Sequence, residues 1–309
     1  MPQSTFVILS PPYDENNGGA IALHKLCFEI NRLGHKAYLF PYFSGAQYDT
    51  EDPALFQKNI ELTRRHLTTF TVNAAIHSDV IGTDNLDLIA QRDDIIVVYP
   101  EIIAGNPLKG RKVVRWLMHD AGFFTGKVYF RSGEIYFCYD QDTKRVQIPG
   151  SRMSDNLLTT IHIPFENYNL HGVAENRSGT AFCIRKGKGK TLQHALEDSV
   201  MIDGLSHRQV AEIFKRVRQF ISYDSRTFYS RLAVLCGCDS IVIPDPGVAE
   251  EEWMPDPEAR FGVAYGFENL EKARQSAPDT IRFLRKMEEN SITTTRNFIA
   301  EVETYFANR

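Results

Sequence analysis

A basic, glycine-rich segment runs from Arg185 to Lys190, directly after an apolar run that predicts a strand. In such a loop, backbone N–H groups can surround a phosphate while arginine and lysine neutralise its charge. The segment ends in the Gly-Lys-Thr of a P-loop, but the first glycine of the P-loop pattern falls on Ile184, so an ATPase is disfavoured. Two interpretations stay open: a looser diphosphate clamp and a solvated basic loop.

A run of polar residues from Ser222 to Thr227 leads from a predicted strand into a predicted helix. The hydroxyl groups of Ser225 and Thr227, together with the free N–H groups of a helix start, suit a phosphate. Alternatively, Asp224 or Ser225 only caps the helix.

Two further pairs of neighbouring residues lie where predicted strands and helices of the first half of the chain meet. Gly18 and Gly19 open a predicted helix, where glycine lets the backbone approach an anion or simply makes the turn. The GxGxxG fingerprint is missing, so a dinucleotide-dependent oxidoreductase is disfavoured. His119 and Asp120 end a predicted strand, where they either contact a ligand or serve the structure alone.

Two series of strands and helices must position these segments. Short apolar runs, typical of parallel strands buried on both faces, lie at 6–9, 37–40, 95–99, 113–118, 180–184, 220–222 and 240–243. Alternation over 129–148 predicts a hairpin around Ser132-Gly133. Helices are predicted at 191–197, at 227–236 and in two C-terminal segments, one capped by Asp279 and one carrying Phe298 and Phe306.

A polar stretch between Ile163 and Gly179 predicts a domain boundary. The expected organisation is an N-terminal domain over 1–165, a C-terminal domain over 166–290, and a last helix over 291–309 that packs back on the first domain.

The amino-acid composition and the net charge make several classes of protein less plausible for this chain. With 35 basic and 39 acidic side chains the net charge is −4, which disfavours general nucleic-acid binding. The apolar runs are far shorter than the roughly 20 residues of a membrane span, and residues 1–10 lack the pattern of a secretory signal. The five cysteines, an odd number, indicate reduced core thiols, so a cytoplasmic protein is expected.

Taken together, these landmarks resemble the GT-B glycosyltransferases, in particular retaining enzymes of the glycosyl-transferase group 1 family. The resemblance covers nearly the whole chain and rests on the order of short motifs: Gly18-Gly19, His119-Asp120, Ile163-Pro164, and Arg185 to Lys190 followed by Leu235-Cys-Gly237. Tyr99-Pro-Glu101, Gly105-Asn-Pro-Leu108 and Val114-Arg-Trp116 are similar to a bacterial polysaccharide-type subgroup.

The resemblance implies two Rossmann-like domains facing a cleft, with C-terminal helices. The first domain would bind the acceptor, through Glu101 and Asn106, and the second a nucleotide sugar. Donor contacts would come from Gly18, Gly19, Arg185, Lys190, Tyr223, Asp224, Ser225 and Thr227, and catalytic contacts from His119 and Asp120. No metal or cofactor is implied.

One departure concerns two glutamates that many relatives carry eight residues apart and that contact the donor. Tyr223 and Arg231 stand at those positions here. The leading hypothesis is a metal-independent hexosyl- or related sugar transferase that acts on a glycan or lipid-linked acceptor in polysaccharide or glycoconjugate synthesis, with peripheral membrane contact if the acceptor is lipid-linked. The alternative is a catalytically inactive nucleotide-sugar-binding or scaffold protein of the same fold.

Overall fold

In the computed structural model, which describes residues 3–42, 53–126 and 128–309, short buried strands alternate with helices. The chain divides into two units, one formed by the residues through His162 together with Glu288–Arg309, the other by Ile163–Met287. Each unit is built around a parallel sheet, and a helix ends the chain, which confirms the expected α/β fold class. The predicted boundaries at 165/166 and 290/291 lie close to these divisions.

The sheet of the first unit is parallel throughout. Its strands are β1 (Thr5–Ser10), β2 (Lys36–Pro41), β3 (Ile95–Pro100), β4 (Lys112–Leu117), β5 (Ile135–Cys138) and β6 (Arg152–Met153), in the order β2-β1-β3-β4-β5-β6. The accompanying helices are α1 (Gly18–Arg32), α2 (Pro53–His66) and α3 (Leu86–Gln91). The predicted hairpin over 129–148 is wrong, because β5 pairs in parallel with β4 and β6.

The sheet of the second unit is also parallel. Its strands are β7 (Thr180–Cys183), β8 (Ser199–Met201), β9 (Gln219–Ser222), β10 (Asp239–Val242) and β11 (Val263–Tyr265), in the order β11-β10-β9-β7-β8. The helices are α4 (His207–Phe214), α5 (Tyr229–Leu235), α6 (Glu250–Trp253) and α7 (Leu270–Ser276). Residues 191–197, predicted as helical, form loops and turns. Ser206 and Gln209 form a capping box at the start of α4.

The last helix, α8 (Thr280–Ala307), contains residues of both units. Its Phe298 and Val302 are fully buried in the same apolar core as Trp116 of β4. The sequence predicted two helices after Asp279, but no glycine or proline interrupts that segment and it forms one helix.

Each sheet has one topological switch point. From β1 the chain moves to β2 on one side, and from β3 it moves to β4 on the other. In the second sheet the chain leaves β7 toward β8 on one side and leaves β9 toward β10 on the other. Ligands of open α/β sheets bind at the carboxyl ends of the strands that flank such a point, here β1 and β3 in one unit and β7 and β9 in the other.

Candidate functional site

The basic loop after β7 and the polar loop after β9 touch at the switch point of the second unit. A Cβ atom built on Gly187 would lie 2.0 Å from the carbonyl oxygen of Tyr223 and 2.9 Å from the nitrogen of Asp224. Any side chain at this position would therefore force the two backbones apart. The structure thus brings together the two segments that the sequence singled out separately.

Arg185 is held at this switch point in an uncommon backbone conformation. Its φ of 41° lies in the left-handed region that non-glycine residues rarely adopt. The backbone N–H groups of Ile184 and Arg185 donate to Oδ2 of Asp203 at 3.0 and 3.1 Å. Arg185 is exposed, and its guanidinium lies 5.4 Å from the centre of the Tyr229 ring. Asp203 was missed by sequence reasoning, because nothing in the spacing links it to a residue before β8.

Lys190 is already paired. Its Nζ lies 2.7 Å from Oδ1 of Asp245 and donates to the carbonyl of Ile243 at 2.8 Å. Hydrogen bonds from Lys190 and from the Ser225 side chain lower the pKa of the Asp245 carboxyl. The Asp245 carboxylate therefore balances the charge of Lys190, which was expected to neutralise a diphosphate, and it also accepts a hydrogen bond from Ser225. The sequence analysis did not single out Asp245.

Tyr223 belongs to the core rather than to a surface open to a ligand. It is 1 % exposed, and its hydroxyl accepts the N–H of Gln193 at 2.7 Å and lies 2.8 Å from Nδ1 of His194. The ring is enclosed by its own unit, and the expected contact with a donor stays a prediction. The visible role of Tyr223 is to fix the loop through Gln193.

Asp224 and Thr227 form contacts within their own loop. Oδ1 of Asp224 accepts the N–H of Arg226 at 3.0 Å, and Oγ1 of Thr227 accepts the N–H of Tyr229 at 3.4 Å. Helix α5 begins at Tyr229, two residues later than the predicted start at Thr227. Both contacts are turns within the loop, and neither side chain caps α5, whose N-cap residue is Phe228.

Arg231, which the sequence analysis placed at the second of the two expected glutamate positions, is a structural cation. It donates to the carbonyl of Ala259 at 2.8 Å, and its guanidinium lies near the rings of Phe228 and Phe283. Burial lowers its pKa to about 10. The arginine thus supports the interior of the second unit.

At the switch point of the first unit, the helix start leaves little backbone free for an anion. Oδ1 of Asn17 accepts the N–H groups of Gly19 and Ala20 at 3.0 and 3.2 Å. A Cβ built on Gly19 would lie 3.7 Å from Cε of Met118, whereas one on Gly18 meets nothing within 4 Å. Gly19, in the first turn of α1, therefore lies beside the side chain of Met118, and Gly18 faces open space.

Glu101 stands directly after β3 at the same switch point. It is 5 % exposed, and its Oε2 accepts the N–H of Met118 at 3.2 Å. Burial raises the pKa of this carboxyl to about 7, against the opposing effect of hydrogen bonds from backbone N–H groups. The carboxyl therefore changes protonation near neutral pH, which is unusual for glutamate.

His119 and Asp120 follow Met118. Nδ1 of His119 accepts the N–H of Asp120 at 2.8 Å, so the ring proton of the neutral histidine sits on Nε2. The imidazole lies 4.1 Å from the ring of Phe123 and 5.0 Å from that of Phe124, centre to centre. These two phenylalanines are 65 % and 67 % exposed.

The Asp120 carboxylate is bound to Lys144, which donates from its backbone N–H at 2.8 Å and from Nζ at 3.1 Å. These bonds lower the pKa of the Asp120 carboxyl.

Asn106 closes the loop after β3. Its Oδ1 accepts from the Tyr99 hydroxyl at 2.8 Å and from the Gly110 N–H at 3.1 Å, and its Nδ2 donates to the Gly110 carbonyl at 2.7 Å. The expected contact with an acceptor stays a prediction. What the structure shows is a loop that Asn106 holds in shape.

The fully buried Arg115 of β4 also fixes the loop after β3. Its guanidinium donates to the carbonyls of Ile103 and Gly105 and pairs with Glu134 at 2.9 Å. Sequence reasoning noted Arg115 only as part of a motif, because a charged residue in an apolar strand does not reveal which carbonyls it binds.

Within the ranges that the structure describes, no group of three or more His, Cys, Asp or Glu side chains is arranged to hold a metal ion. Likewise, none of the described helices combines the length and apolar character that crossing a bilayer requires.

No family model matches the chain, and no curated protein matches it. Solved structures similar to it include the glycotransferase of kitacinnamycin, with 10 % identity over 99 % of this chain and 100 % of that one and a TM-score of 0.41. MurG of Acinetobacter baumannii has 9 % identity over 97 % and 99 %, with a TM-score of 0.36. The glycosyltransferase SsfS6 of Streptomyces sp. SF2575 has 12 % identity over 98 % and 96 %, with a TM-score of 0.33.

Proposed function

We propose that the chain is a glycosyltransferase that moves a sugar from a nucleotide-sugar donor to a glycan or lipid-linked acceptor. The observation that carries this proposal is the switch point of the second unit, where the exposed Arg185 stands on a loop packed against the loop after β9. A cation at such a point suits the diphosphate of a donor, whose negative charge grows as the sugar–phosphate bond breaks.

The cations of the basic loop have different roles in this proposal. Lys186 and Lys188 are exposed like Arg185, whereas Lys190 is neutralised by Asp245. Arg185 is therefore the principal anchor for the diphosphate, and Lys190 contributes only when it exchanges Asp245 for a phosphate oxygen.

The first unit supplies the acceptor side. Glu101 and the Nε2–H of His119 offer hydrogen-bonding groups, and the exposed rings of Phe123 and Phe124 offer an apolar surface beside them. Exposed aromatic rings at such a place suit a sugar face or the lipid of a lipid-linked acceptor. A cytoplasmic protein that touches the inner face of a membrane is consistent with this acceptor.

The finer features rest on the sequence resemblance. They are a hexosyl or related sugar, transfer without a metal, retention of configuration, and a role in bacterial-type polysaccharide or glycoconjugate synthesis.

The second candidate is a protein that binds a nucleotide sugar without transferring it. It is favoured by the buried Tyr223 and the half-buried Arg231, which stand where the resembling family has two donor-contacting carboxylates. Both candidates predict donor binding, and only the transferase predicts release of a nucleoside diphosphate that depends on an acceptor.

A thermal-shift screen tests the proposal. The purified chain is melted with UDP, GDP, dTDP or CMP and their sugars, with ATP and NAD(P) as controls, because a ligand of the native state raises its stability. We expect one nucleotide to raise Tm, and Arg185→Ala to reduce the shift. Arg208→Ala, which removes an exposed arginine from α4, is the matched control. Absence of a shift with every nucleotide in a folded protein would contradict both candidates.

A further inference from the structure

We propose that the loop after β4 docks the protein on an anionic lipid bilayer, with Phe123 and Phe124 entering the boundary between the head groups and the acyl chains. The inference rests on the proposed function, in which this unit receives a lipid-linked acceptor. Exposure carries it, because the two rings are 65 % and 67 % exposed. Among the large apolar side chains that the structure describes, only Leu170 is as exposed. Two adjacent exposed rings mark a surface that a partner covers.

The rings of Phe123, Phe124 and His119 form a compact projection, here called the aromatic knob. Their centres lie 4.1 to 5.0 Å apart, and the two phenylalanine rings stand at 85° to each other. At these separations the rings contact one another, so no slot is left between them for a sugar or a side chain. A knob needs a partner that closes around it, and a fluid bilayer does so without a complementary pocket.

Hydrogen bonds within the loop hold the aromatic knob in place. The N–H of Phe123 donates to the carbonyl of Asp120 at 3.1 Å, and the N–H of Gly126 donates to the carbonyl of Gly122 at 2.7 Å. The carboxylate of Asp120 is bound in turn by the backbone and the side chain of Lys144. A loop that is already fixed loses little conformational entropy on insertion, which favours binding.

Exposed apolar side chains continue along the same segment. Val128 and Tyr129 are both exposed, and the carbonyl of Tyr129 accepts the N–H of Gly105 at 2.7 Å, which ties this stretch to the loop after β3. Phenylalanine suits the acyl side of a membrane interface, and tyrosine suits the level of the head groups. The segment therefore has the composition of an interfacial anchor.

The charge of this segment favours an anionic surface. Residues 121–133 contain two basic and no acidic side chains, and the exposed Arg131 is one of the basic ones. The carboxylate that precedes them, Asp120, is paired with Lys144, which is itself 82 % exposed. The loop of Lys144, residues 139–147, carries two acidic and two basic side chains and adds no net charge. Although the whole chain has a net charge of −4, the segment of the knob is thus attracted to anionic lipid.

Flotation with lipid vesicles tests the docking, with the full chain and without nucleotide. The vesicles consist of phosphatidylcholine alone or of phosphatidylcholine with about one third phosphatidylglycerol. We expect the wild type to float with the anionic vesicles. Phe123→Ser and Phe124→Ser should each weaken the partition about 10-fold, and the double variant about 100-fold, because each substitution removes the transfer of one exposed ring into lipid.

Leu170→Ser is the matched control, because it removes an equally exposed apolar side chain from the second unit. It should change the partition less than about 2-fold, as expected for a single exposed leucine. Fluorescence gives a second measurement that does not depend on a loss of binding. The emission of Phe124→Trp should shift to the blue when anionic vesicles are added, and that of Leu170→Trp should not. The native Trp116 and Trp253 are buried and supply a constant background.

The outcomes separate this inference from the proposed function. Wild-type protein that does not float, a double variant that keeps its partition within about 3-fold of wild type, or equal binding to both kinds of vesicle overturns the docking and leaves nucleotide binding untouched. A blue shift of Leu170→Trp as large as that of Phe124→Trp also overturns it, since this result indicates non-specific adsorption. Failure of every nucleotide to raise Tm overturns the proposed function instead, whatever the vesicles show.

Discussion

The backbone N–H of Arg185 donates to the carboxylate of Asp203 at 3.1 Å and so closes a turn in which Arg185 has a φ of 41°. Left-handed backbone at a non-glycine residue costs about 1 kcal/mol and persists where the surrounding structure demands it. Such positions often belong to functional sites, which supports the proposed diphosphate-binding role of Arg185.

A comparison of Arg185→Gly with Arg185→Ala tests this relationship. Both variants lose the guanidinium and its contact with Tyr229, but only glycine adopts the left-handed conformation without strain. We expect the glycine variant to have the higher free energy of unfolding, by about 1 kcal/mol in urea titrations. Both should bind the nucleoside diphosphate at least about 10-fold more weakly, a loss of one charge-assisted contact. Equal stability of the two variants would show that the turn stores no strain.

Gly187→Ala should separate the two loops of the second unit. The added Cβ would lie 2.0 Å from the Tyr223 carbonyl oxygen, which is backbone and cannot rotate away. We expect a loss of about 2–4 kcal/mol in unfolding free energy and loss of nucleotide binding, measured by urea titration and calorimetry. Gly189→Ala is the control, because a Cβ there meets nothing within 4 Å although φ is 97°. Its cost should stay near 1 kcal/mol, and equal costs at both sites would contradict the contact.

Asp245→Asn should free the positive charge of Lys190. The substitution removes the negative charge 2.7 Å from Nζ while keeping the side-chain shape. If Lys190 exchanges Asp245 for phosphate, the nucleoside diphosphate should bind about 3- to 5-fold more tightly, consistent with a partly exposed ion pair worth up to about 1 kcal/mol. Lys190→Met should weaken binding. Weaker binding in both variants would mean that the pair only shapes the loop.

Glu101→Gln should stabilise the protein in a pH-dependent way. Because the folded-state pKa is raised to about 7 from 4.5, the folded state holds the proton more tightly than the unfolded state. The contribution of Glu101 is therefore fully present below pH 4.5 and is lost as pH rises through 7. The advantage of glutamine should grow between these values to at most about 3 kcal/mol, as measured by urea titrations at pH 5 and pH 8. An advantage that is the same at both values would show that the carboxyl titrates normally.

Arg115→Lys should be severely destabilising although the charge is kept. Lysine lacks the planar fork that binds the carbonyls of Ile103 and Gly105 together with Glu134. We expect a loss of about 3–5 kcal/mol, as for a broken buried ion pair, read from chemical unfolding. Arg111→Lys, at an exposed pair with Asp93, should change stability by less than about 0.5 kcal/mol. A small effect at Arg115 would imply that another group holds the loop.

The parallel strands could be predicted because their residues are apolar on both faces, as in β3, where every residue is buried. The segment around Ser132-Gly133 misled because a short strand with aromatic neighbours looks the same in a hairpin and at the side of a parallel sheet. The end of the chain misled because Asp279 is of a residue type that caps helices and so suggested a separate helix, whereas the segment after it has no helix breaker and is one helix.

The site could be predicted only as far as its loops. Arg185 and Lys190 were recognised by type, but their carboxylate partners Asp203 and Asp245 lie on other strands' loops and no local spacing connects them. Tyr223 could not be assigned to core or ligand, because a tyrosine at a strand end suits both. The raised pKa of Glu101 arises from burial, and this burial becomes visible only when the surrounding elements are in place.

Helix α8 also determines the order in which the two units can fold during synthesis. The core of the first unit includes Phe298, Val302 and Phe306, which the ribosome adds only after all of Ile163–Met287 has been made. The second unit is contiguous and can therefore complete its fold during translation, while the first waits with an open apolar face. An mRNA truncated before codon 288 should therefore yield a product in which the second unit is folded, whereas the first is unfolded, bound by chaperones and degraded by proteases.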